Sequence, residues 1–536
     1  MVSRTVLIGL DGATFTTLDR YVASGAMPFL KGFVASGARA SLRSVVPALA
    51  PPAWTSLMTG KRPGHHGVFD FFQRDSTDSP FLRLVSSQDI GTKTIWTLAS
   101  EHNKRIVALN IPLMFPAPAV NGSVVPGGWI PWRQLRLGCF PSGLFDRLKT
   151  LPSFNPRELA VDLAMEEKAL DGCAPEEYAE WIQLHISRER RWFDIVRFLL
   201  EEPADLIGIL FDGADKIQHI CWRFIDPMCF GDSPTAWDVQ IRELCEGYFR
   251  QLDELLGEIV SLAGPDTLTV VVSDHGFGPT STVFYLNTWL EQNGYLTWAD
   301  SANMPTDGSP QLGMSRIARQ IHQIDWTKTR AYASTPSSNG IHIVAKRPGS
   351  DKPMSAREYG SLLAELIGGL RDLRHPTMGE PIISNVWTRD EAFKGPFSAG
   401  APDLTLALSD GGLASILRSD VAIRPRPWTV GSHRPDGVFM ARGPSIVEGV
   451  RPNELSILDV APLLLYSLDL PIPGDMEGRL PNEILKTDAL QVQPIRRVAA
   501  DQMSTNQAPE SSGSADFDAE AEEIMMKRLR ALGYIE

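Results

Sequence analysis

The sequence predicts an α/β fold with a central, largely parallel β-sheet covered by helices on both faces. Two observations predict it. Short apolar runs rich in β-branched residues and leucine recur, as is typical of strands buried on both faces; they are Thr5–Leu10, Arg105–Leu109, Ala204–Phe211, Thr267–Ser273 and Asp403–Leu408. Segments with apolar residues at helical spacing lie between these runs, and this alternation is typical of a parallel sheet.

Several helices are predicted between the strands. The segment Thr17–Ser24 is followed by Gly25, a residue type that often ends helices. Apolar residues recur every three or four positions in Tyr178–Leu200 and Ile241–Leu262, and Met354–Leu370 is a further helical segment. Because ligands bind at the carboxyl ends of strands in such sheets, the polar residues that follow the strands are the candidate site residues.

One large domain is predicted over residues 1–486. Two regions interrupt the regular alternation of strands and helices, and we expect cap insertions over the strand ends within residues 111–200 and 280–400. Residues 487–515 are polar and poor in aromatic residues, which predicts a disordered linker. A C-terminal helix is predicted within residues 516–536.

The composition argues against several classes of partner. The chain has 536 residues, a net charge of -13 and no long run of lysine and arginine. An acidic surface disfavours nucleic acid polymers and anionic membranes as partners. The five cysteines include no CxxC pair, which disfavours a disulfide framework and a thiolate zinc site.

No targeting or membrane segment is predicted. The first apolar run, within MVSRTVLIGLDG, is short and leads into an Asp-Gly turn without a small-residue cleavage site. It therefore predicts a first strand and not a signal peptide. No uncharged apolar stretch of membrane-spanning length occurs elsewhere. We expect a cytoplasmic protein with no membrane partner.

Aspartate and histidine residues follow the predicted strands. Asp11 follows the first strand in an Asp-Gly pair, and Asp274 and His275 follow the strongest strand signal in VVVSDHGFGP. Asp215 and His219 are four residues apart, so on a helix both lie on one face and could share a metal ion. Carboxylate and imidazole groups suit Zn²⁺, Mn²⁺ or iron.

His433 is the sixth candidate ligand. It lies in the glycine-rich sequence GSHRPDGVF, which predicts a loop before another strand. Each of these patterns also has a simpler interpretation: an Asp-Gly pair after a strand is usually a turn, and an aspartate and a histidine four apart usually lie on a solvated helix face. Their joint occurrence in one α/β pattern favours a shared site.

Four motifs follow one another along the chain: an early aspartate, DxxxH, DHG and a late histidine, with PPAWTSLMTGKRPGHHG after the first aspartate. This order resembles the alkaline phosphatase superfamily, and within it the type I phosphodiesterase/nucleotide pyrophosphatase branch. The segments Pro52–Gly60, Asp215–Pro227 and Arg528–Glu536 resemble, more narrowly, a group of predicted phosphohydrolases or phosphomutases.

The resemblance implies an alkaline-phosphatase-like sandwich with two divalent metal ions, either zinc or, as alternatives, manganese or iron. By position, one ion is held by Asp215, His219 and His433, and the other by Asp11, Asp274 and His275. It also implies a small phosphorylated substrate. Paired ions in such sites clamp the attacking and leaving oxygens of a phosphoryl transfer.

One position departs from the family pattern. The family carries a threonine or serine nucleophile in the loop before the PAW sequence, and counting back from Thr59 and Gly60 puts that position at Ala50. Ala50 also has the place of a helix N-cap, with Pro51 at the first helical position. Alanine has no hydroxyl group, so the catalytic residue is unknown from the sequence.

The sequence therefore predicts metal-dependent hydrolysis of phosphate esters, weakened because Ala50 occupies the nucleophile position, or performed directly by activated water. Two alternatives remain open at this point. One is a phosphomutase-type isomerase, which needs the same missing hydroxyl group. The other is a catalytically inactive protein that binds metal and a phosphorylated ligand.

Overall fold

The structure is a computed structural model that describes residues 4–74, 82–161, 175–231, 233–299, 323–349 and 352–499, together with Ile524. The strands of these residues are β1 Thr5–Leu10, β2 Ala38–Arg43, β3 Phe72–Arg74, β4 Leu82–Leu84, β5 Ile106–Leu109, β6 Gly122–Val125, β7 Leu206–Phe211, β8 Leu268–Val272, β9 Gly276–Phe284, β10 Ala331–Tyr332, β11 Gly340–Ile343, β12 Ile383–Thr388, β13 Leu404–Leu408, β14 Ile423–Arg434, β15 Asp436–Arg442, β16 Glu454–Ser456, β17 Ile472–Pro473 and β18 Arg497–Val498.

The α-helices are α1 Phe15–Ser24, α2 Pro28–Ala35, α3 Ala50–Thr59, α4 Pro63–His66, α5 Ile95–Glu101, α6 Leu135–Gly138, α7 Leu144–Leu148, α8 Pro156–Leu159, α9 Pro175–Leu199, α10 Gly213–Ile225, α11 Ala236–Ala263, α12 Leu286–Gln292, α13 Ala356–Asp372, α14 Arg389–Ala392, α15 Val460–Ser467 and α16 Thr487–Val492. The four predicted helices are confirmed as α1, α9, α11 and α13. Within the described ranges, none of these helices has both the length and the apolarity needed to cross a membrane.

The central sheet has eight strands in the order β16-β2-β15-β8-β1-β7-β5-β6. In the middle of the sheet, β1 pairs in parallel with both β7 and β8, and β5 pairs in parallel with β7 and β6. Only β15 runs against its neighbours, pairing antiparallel with β2 and β8. The prediction of a largely parallel sheet is confirmed.

Helices cover both faces of this sheet, as the alternation of side chains on β1 makes clear. Val6 and Ile8 belong to the hydrophobic cluster that includes residues of α9, α10 and α11. Leu7, between them, belongs to a second cluster on the other face, with residues of α3, α5 and α15. Because neighbouring strand residues point to opposite faces, a strand with this continuous apolar run is buried on both sides.

A second sheet has four strands in the order β10-β11-β13-β12. The predicted run Asp403–Leu408 forms β13, but this strand pairs antiparallel with β11 and β12 and is not part of the central sheet. Its apolar residues pack against α13 in a hydrophobic cluster of their own, as Leu404 and Leu366 do. A short apolar run does not specify which sheet it joins. The boundaries of the cap insertions stay predictions.

The predicted linker 487–515 begins with ordered structure. Residues 487–492 form α16, and β18 pairs in parallel with β17. The hydroxyl group of Tyr466 donates a hydrogen bond to the backbone oxygen of Gln493 at 2.9 Å, which fixes this segment to the domain. The rest of the linker and the predicted C-terminal helix lie outside the described residues, apart from Ile524, which packs against the second sheet's hydrophobic cluster.

Candidate metal centre

The carboxyl ends of three neighbouring strands bring five predicted ligands together. Asp11 follows β1, Asp274 and His275 follow β8, and Asp215 and His219 lie in the first two turns of α10, directly after β7. The strands β8, β1 and β7 are adjacent and parallel, so their carboxyl ends lie at the same edge of the sheet. All five side chains are buried.

His433 reaches the same site from a strand. It lies on β14, which pairs antiparallel with β9 and places His433 opposite Phe277. The prediction of a loop at this position is therefore wrong. Gly431, which suggested the loop, allows close packing: a Cβ atom there would lie 2.3 Å from the backbone oxygen of Gln218 on α10.

One half of the cluster surrounds Asp215. Its Oδ1 atom lies 3.4 Å from Nε2 of His219 and 3.5 Å from Nε2 of His433, and the two Nε2 atoms are 3.2 Å apart. Ligand atoms of Asp215, His433 and His275 lie within 4.8 Å of one another and could hold a metal ion. His219 is outside this triad, although the family resemblance groups it with Asp215 and His433.

The other half of the cluster surrounds His275. Its Nε2 atom lies 3.3 Å from Oδ2 of Asp274 and 3.7 Å from Oδ1 of Asp11, and these three residues form a second triad that could hold a metal ion. This grouping is the one that the resemblance implies. The rings of His275 and His433 stack with centroids 3.6 Å apart, so the two halves are in direct contact. That these residues bind metal stays a prediction.

Four polar atoms of the cluster are buried without a hydrogen-bond partner among the described residues: Oδ1 of Asp11, Oδ1 of Asp215, Oδ2 of Asp274 and Nε2 of His275. Buried polar atoms normally have partners, and an unpaired carboxylate is especially unfavourable. Tetrahedral zinc with bonds of about 2.0–2.1 Å separates its ligand atoms by roughly 3.3 Å, close to the shortest spacings here. The donor set therefore fits divalent cations.

Backbone carbonyl groups orient two of the imidazole rings. Nδ1 of His433 lies 3.0 Å from the oxygen of Ala48, and Nδ1 of His275 lies 3.1 Å from the oxygen of Gly276. A carbonyl oxygen only accepts, so Nδ1 carries the proton in both rings. Each Nε2 atom then presents a lone pair to the cluster, the tautomer that a metal-binding histidine needs.

Burial and neighbouring charges shift the carboxyl pKa values in opposite directions. Burial, followed by the charge of Asp274, raises the pKa of Asp11 well above its usual value, and burial raises the pKa of Asp274 to about 7. Burial also acts to raise the pKa of Asp215, but His219 and His433 outweigh it and hold that pKa well below its usual value. A bound cation relieves the repulsion between such carboxylates.

The position that the resemblance assigns to the nucleophile, Ala50, lies two residues after Ala48, whose backbone oxygen contacts His433. Ala50 is the first residue of α3 and is fully buried. The prediction that Ala50 is the N-cap is wrong by one residue, because the first helical hydrogen bond, from Ala53 N, goes to the oxygen of Leu49. The contact between Ala48 and His433 ties this turn to the cluster, yet the turn offers no hydroxyl group at position 50.

Sequence reasoning missed the groups that support the ligands. Gly12 donates a backbone hydrogen bond to Oδ1 of Asp274 at 3.2 Å, and the hydroxyl group of Ser44 donates to the backbone oxygen of Asp274 at 2.6 Å. A backbone N–H group is present in nearly every residue type, so the sequence does not reveal the hydrogen bond from Gly12. Ser44 could have been identified, because it is a polar residue directly after β2 at the same edge of the sheet.

A comparison with protein families agrees with this geometry. Residues 5–436, which include all six clustered residues, match the family described as type I phosphodiesterase/nucleotide pyrophosphatase. The chain belongs to this family. Type I phosphodiesterases are metal-dependent phosphoester hydrolases, and the two triads are possible metal sites of that kind. The resemblance to the type I phosphodiesterase/nucleotide pyrophosphatase branch is confirmed.

Solved structures share the fold of this chain at low sequence identity. Murine ectonucleotide pyrophosphatase/phosphodiesterase 5 superposes with a TM-score of 0.50 and 14% identity, over 90% of this chain and 100% of that one. An inactive variant of the murine protein, with alanine in place of a threonine and in complex with AMP, gives 0.50 and 15% over the same shares. No curated protein matches the chain by sequence.

Proposed function

We propose that this type I phosphodiesterase hydrolyses small phosphate esters at the cluster of Asp11, Asp215, Asp274, His275 and His433, with two divalent ions bound. The observation that carries the proposal is the convergence of buried carboxylate oxygens and an imidazole nitrogen that have no hydrogen-bond partner among the described residues. Such an arrangement is unfavourable on its own and becomes favourable when cations bind. Zinc is the proposed metal, with manganese or iron as alternatives.

The residues of the chain prepare the site for this reaction. Asp11 and Asp274 place negative charge where cations bind, and the backbone N–H group of Gly12 holds Asp274 in position. The carbonyl oxygens at Ala48 and Gly276 hold the two imidazole rings in the metal-binding tautomer. Two bound divalent ions supply Lewis-acid stabilisation of a phosphoryl group and lower the pKa of bound water.

The proposed substrate is a small phosphorylated molecule. The inactive murine variant is in complex with AMP, which supports a phosphorylated ligand of this size. Net charge, at -13, disfavours nucleic acid polymers as substrates because their phosphates would be repelled. The cytoplasmic location stays a prediction from the sequence.

A second candidate function is binding without turnover. Ala50 favours it, because a protein that lacks the hydroxyl nucleophile loses the two-step route through a covalent intermediate. The inactive murine variant, which carries alanine in place of a threonine, is still found in complex with AMP. That example supports the view that ligand binding and turnover are separable in this fold.

Hydrolysis of chromogenic esters distinguishes the two functions. The full chain, freed of metal and then supplied with Zn²⁺ or Mn²⁺, is assayed with 4-nitrophenyl phosphate and bis(4-nitrophenyl) phosphate while its bound metal is counted by elemental analysis. Metal-dependent release of nitrophenol that is lost in Asp274→Asn supports the hydrolase. Two bound ions without release favour the binding function. A chain that takes up no metal contradicts both.

A further inference from the structure

A buried glutamine, Gln218, lies on α10 between the two candidate ligands that this helix carries. It follows Asp215 by three residues and directly precedes His219, and it is fully buried. A buried amide group needs partners for both its oxygen and its nitrogen, because an unpaired polar group is unfavourable away from water. The partners of Gln218 therefore show which parts of the site this residue connects.

The side chain of Gln218 joins α10 to the turn that follows β1. Its Nε2 atom donates a hydrogen bond to the backbone oxygen of Gly12 at 2.9 Å, and its Oε1 atom accepts one from the hydroxyl group of Thr17 at 3.0 Å. The backbone oxygen of Gly12 can only accept, so the nitrogen of the amide group lies on that side. Thr17, on α1, thus orients the amide group that holds the turn.

Gly12 extends this contact to the candidate ligands. Its N–H group donates to Oδ1 of Asp274 at 3.2 Å, and a Cβ atom at this position would lie 3.0 Å from Oδ1 of Asp215. Its φ angle is 63°, a conformation that glycine adopts without steric cost. The turn therefore lies between a member of each triad, and the bond from Gln218 fixes its position.

The backbone of Gln218 packs against another ligand-bearing element. A Cβ atom at Gly431 on β14 would lie 2.3 Å from the oxygen of Gln218, and His433 is two residues further along that strand. Asp215 and His433 are thus placed by direct packing of α10 on β14, without the turn at Gly12. Loss of the Gln218 side chain should therefore affect the other triad more.

We propose that Gln218 is a positioning residue that acts through Gly12. It holds Asp274 and the triad around it in place relative to Asp215 on α10. The proposal rests on the proposed function, because it concerns how the chain prepares one of the two metal positions. An apolar side chain at position 218 would leave the Gly12 oxygen without this donor, so the turn and Asp274 could move. A residue outside both triads would then control the affinity for one ion.

Hydrogen–deuterium exchange of the metal-free full chain tests the first step. Gln218→Met keeps the length of the side chain but removes its amide group, and exchange in residues 10–14 should become roughly fivefold faster, the effect of losing one hydrogen bond. Asn287→Leu is the matched control. It removes another buried amide group, which donates to the backbone oxygens of Ala333 and Ile416, and should leave this segment unchanged. Unchanged exchange in Gln218→Met overturns the proposal.

Zinc titration of the full chain tests the second step. Gln218→Met should weaken binding of one ion by about 10–100-fold, the usual effect of losing a supporting group, and change the other by less than about threefold. Asn287→Leu should bind both ions as the wild type does. In the Asp274→Asn background, Gln218→Met should have no further effect on the remaining ion, because the two changes act on one triad. Equal weakening of both ions, or an undiminished effect in that background, would indicate general damage and overturn the proposal.

Thr17→Val is a milder variant that tests the same connection. It removes the hydroxyl group that orients the Gln218 amide group and leaves the amide group itself in place. Exchange in residues 10–14 and zinc binding should change in the same direction as in Gln218→Met, by a smaller factor. If Gln218→Met does not fold, unchanged exchange and zinc binding in Thr17→Val overturn the proposal.

The two measurements separate this proposal from the proposed function. Faster exchange with unchanged affinities for two ions supports the metal sites and overturns the positioning role of Gln218. A wild-type chain that takes up no zinc contradicts the proposed function, and exchange in the metal-free chain then still decides whether Gln218 holds the turn.

Discussion

The candidate metal centre and the start of α3 are neighbours, yet they are built in opposite ways. The candidate metal centre buries carboxylate and imidazole atoms without hydrogen-bond partners among the described residues. The start of α3 buries apolar side chains, with Ala50, Ala53 and Trp54 packed into one hydrophobic cluster. The first region destabilises the metal-free fold, whereas the second adds to its stability.

The two regions therefore concern two separate abilities. The first concerns the binding of metal ions, and the second concerns catalytic turnover. A cluster of three carboxylates and three imidazoles is costly to keep unless ions occupy it, so its completeness favours retained metal binding. The alanine at position 50, in the first turn of α3, packs in the hydrophobic cluster but offers no hydroxyl group that could act as a nucleophile. The first predictions below change one of the two regions and leave the other intact.

Removal of the shared imidazole should have the largest effect. His275 belongs to both triads, so His275→Ala is expected to prevent stoichiometric binding of either ion. His219 lies outside both triads, and His219→Ala should weaken binding of one ion by about 10–100-fold, the usual effect of losing a supporting group. Elemental analysis after gel filtration, with zinc titration, measures both.

The exposed His102 provides a control. His102→Ala removes an imidazole that is not part of the cluster, so this variant should still bind two ions. Equal losses in the His275 and His219 variants would mean that His219 is a direct ligand, as the family grouping implies. In that case the two triads rearrange when ions bind.

Restoring a hydroxyl group tests the other region. Ala50→Thr should raise the rate of ester hydrolysis by more than about tenfold, because removing a nucleophile from enzymes that use one costs several orders of magnitude. Ala50→Val has nearly the same shape and no hydroxyl group. Both variants add atoms to a fully buried position, and each should lose about 1–3 kcal/mol of stability. Rates on one set of esters, at equal metal content, provide the comparison.

The wild-type protein should hydrolyse slowly in a single displacement, with inversion at phosphorus and no phosphorylated protein. Ala50→Thr should retain configuration through two displacements. A fast wild type that accumulates phosphoprotein would show that another hydroxyl group is the nucleophile. Equal gains in the threonine and valine variants would show that packing, not chemistry, limits the rate.

A buried carboxyl group away from the cluster, that of Asp70, should make the stability of the protein depend on pH. Asp70 accepts hydrogen bonds from the Ser337 hydroxyl group and from Phe71 N, and burial raises its pKa to about 6. Its unfolded pKa is about 3.9, so the folded form binds the proton more tightly. The stability that Asp70 contributes is complete below that unfolded value and is lost as pH rises through about 6, by an amount on the order of 1–3 kcal/mol.

Thermal unfolding between pH 4 and 7 measures this effect. Asp70→Asn should reduce the fall in stability across this range in both metal-free and zinc-loaded protein. Zinc itself should reduce the part of the fall that comes from Asp274, whose pKa is about 7 without metal. If zinc leaves the pH dependence of the wild type unchanged, Asp274 is not a ligand.

The smallest effect should come from the residue that links the two regions. Ser44 donates its hydroxyl group to the backbone oxygen of Asp274 and precedes the loop that leads to α3. Ser44→Ala should lower zinc affinity by less than about tenfold, because the bond holds the backbone and not a ligand atom. Ser36→Ala provides the matched control in the same titration, because this half-buried serine donates its hydroxyl group to the backbone oxygen of Gly32 and not to the cluster.

The sequence predicted the parts of the site that depend on local pattern. Strand ends were visible as apolar runs stopping at a polar residue, and that pattern located Asp11 and Asp274 correctly at one sheet edge. It failed for His433, because a glycine that permits close packing looks the same in sequence as one that forms a turn. The sharing of His275 between the two triads depends on long-range geometry, which residue spacing does not contain.

All ten residues of the helix that begins at Ala50 are buried. A helix enclosed on every side moves only if the surrounding core moves with it, and close-packed cores resist such motion. The helix α3 is therefore a rigid element next to the candidate site. Any closure around a bound ligand must therefore come from parts of the chain other than α3.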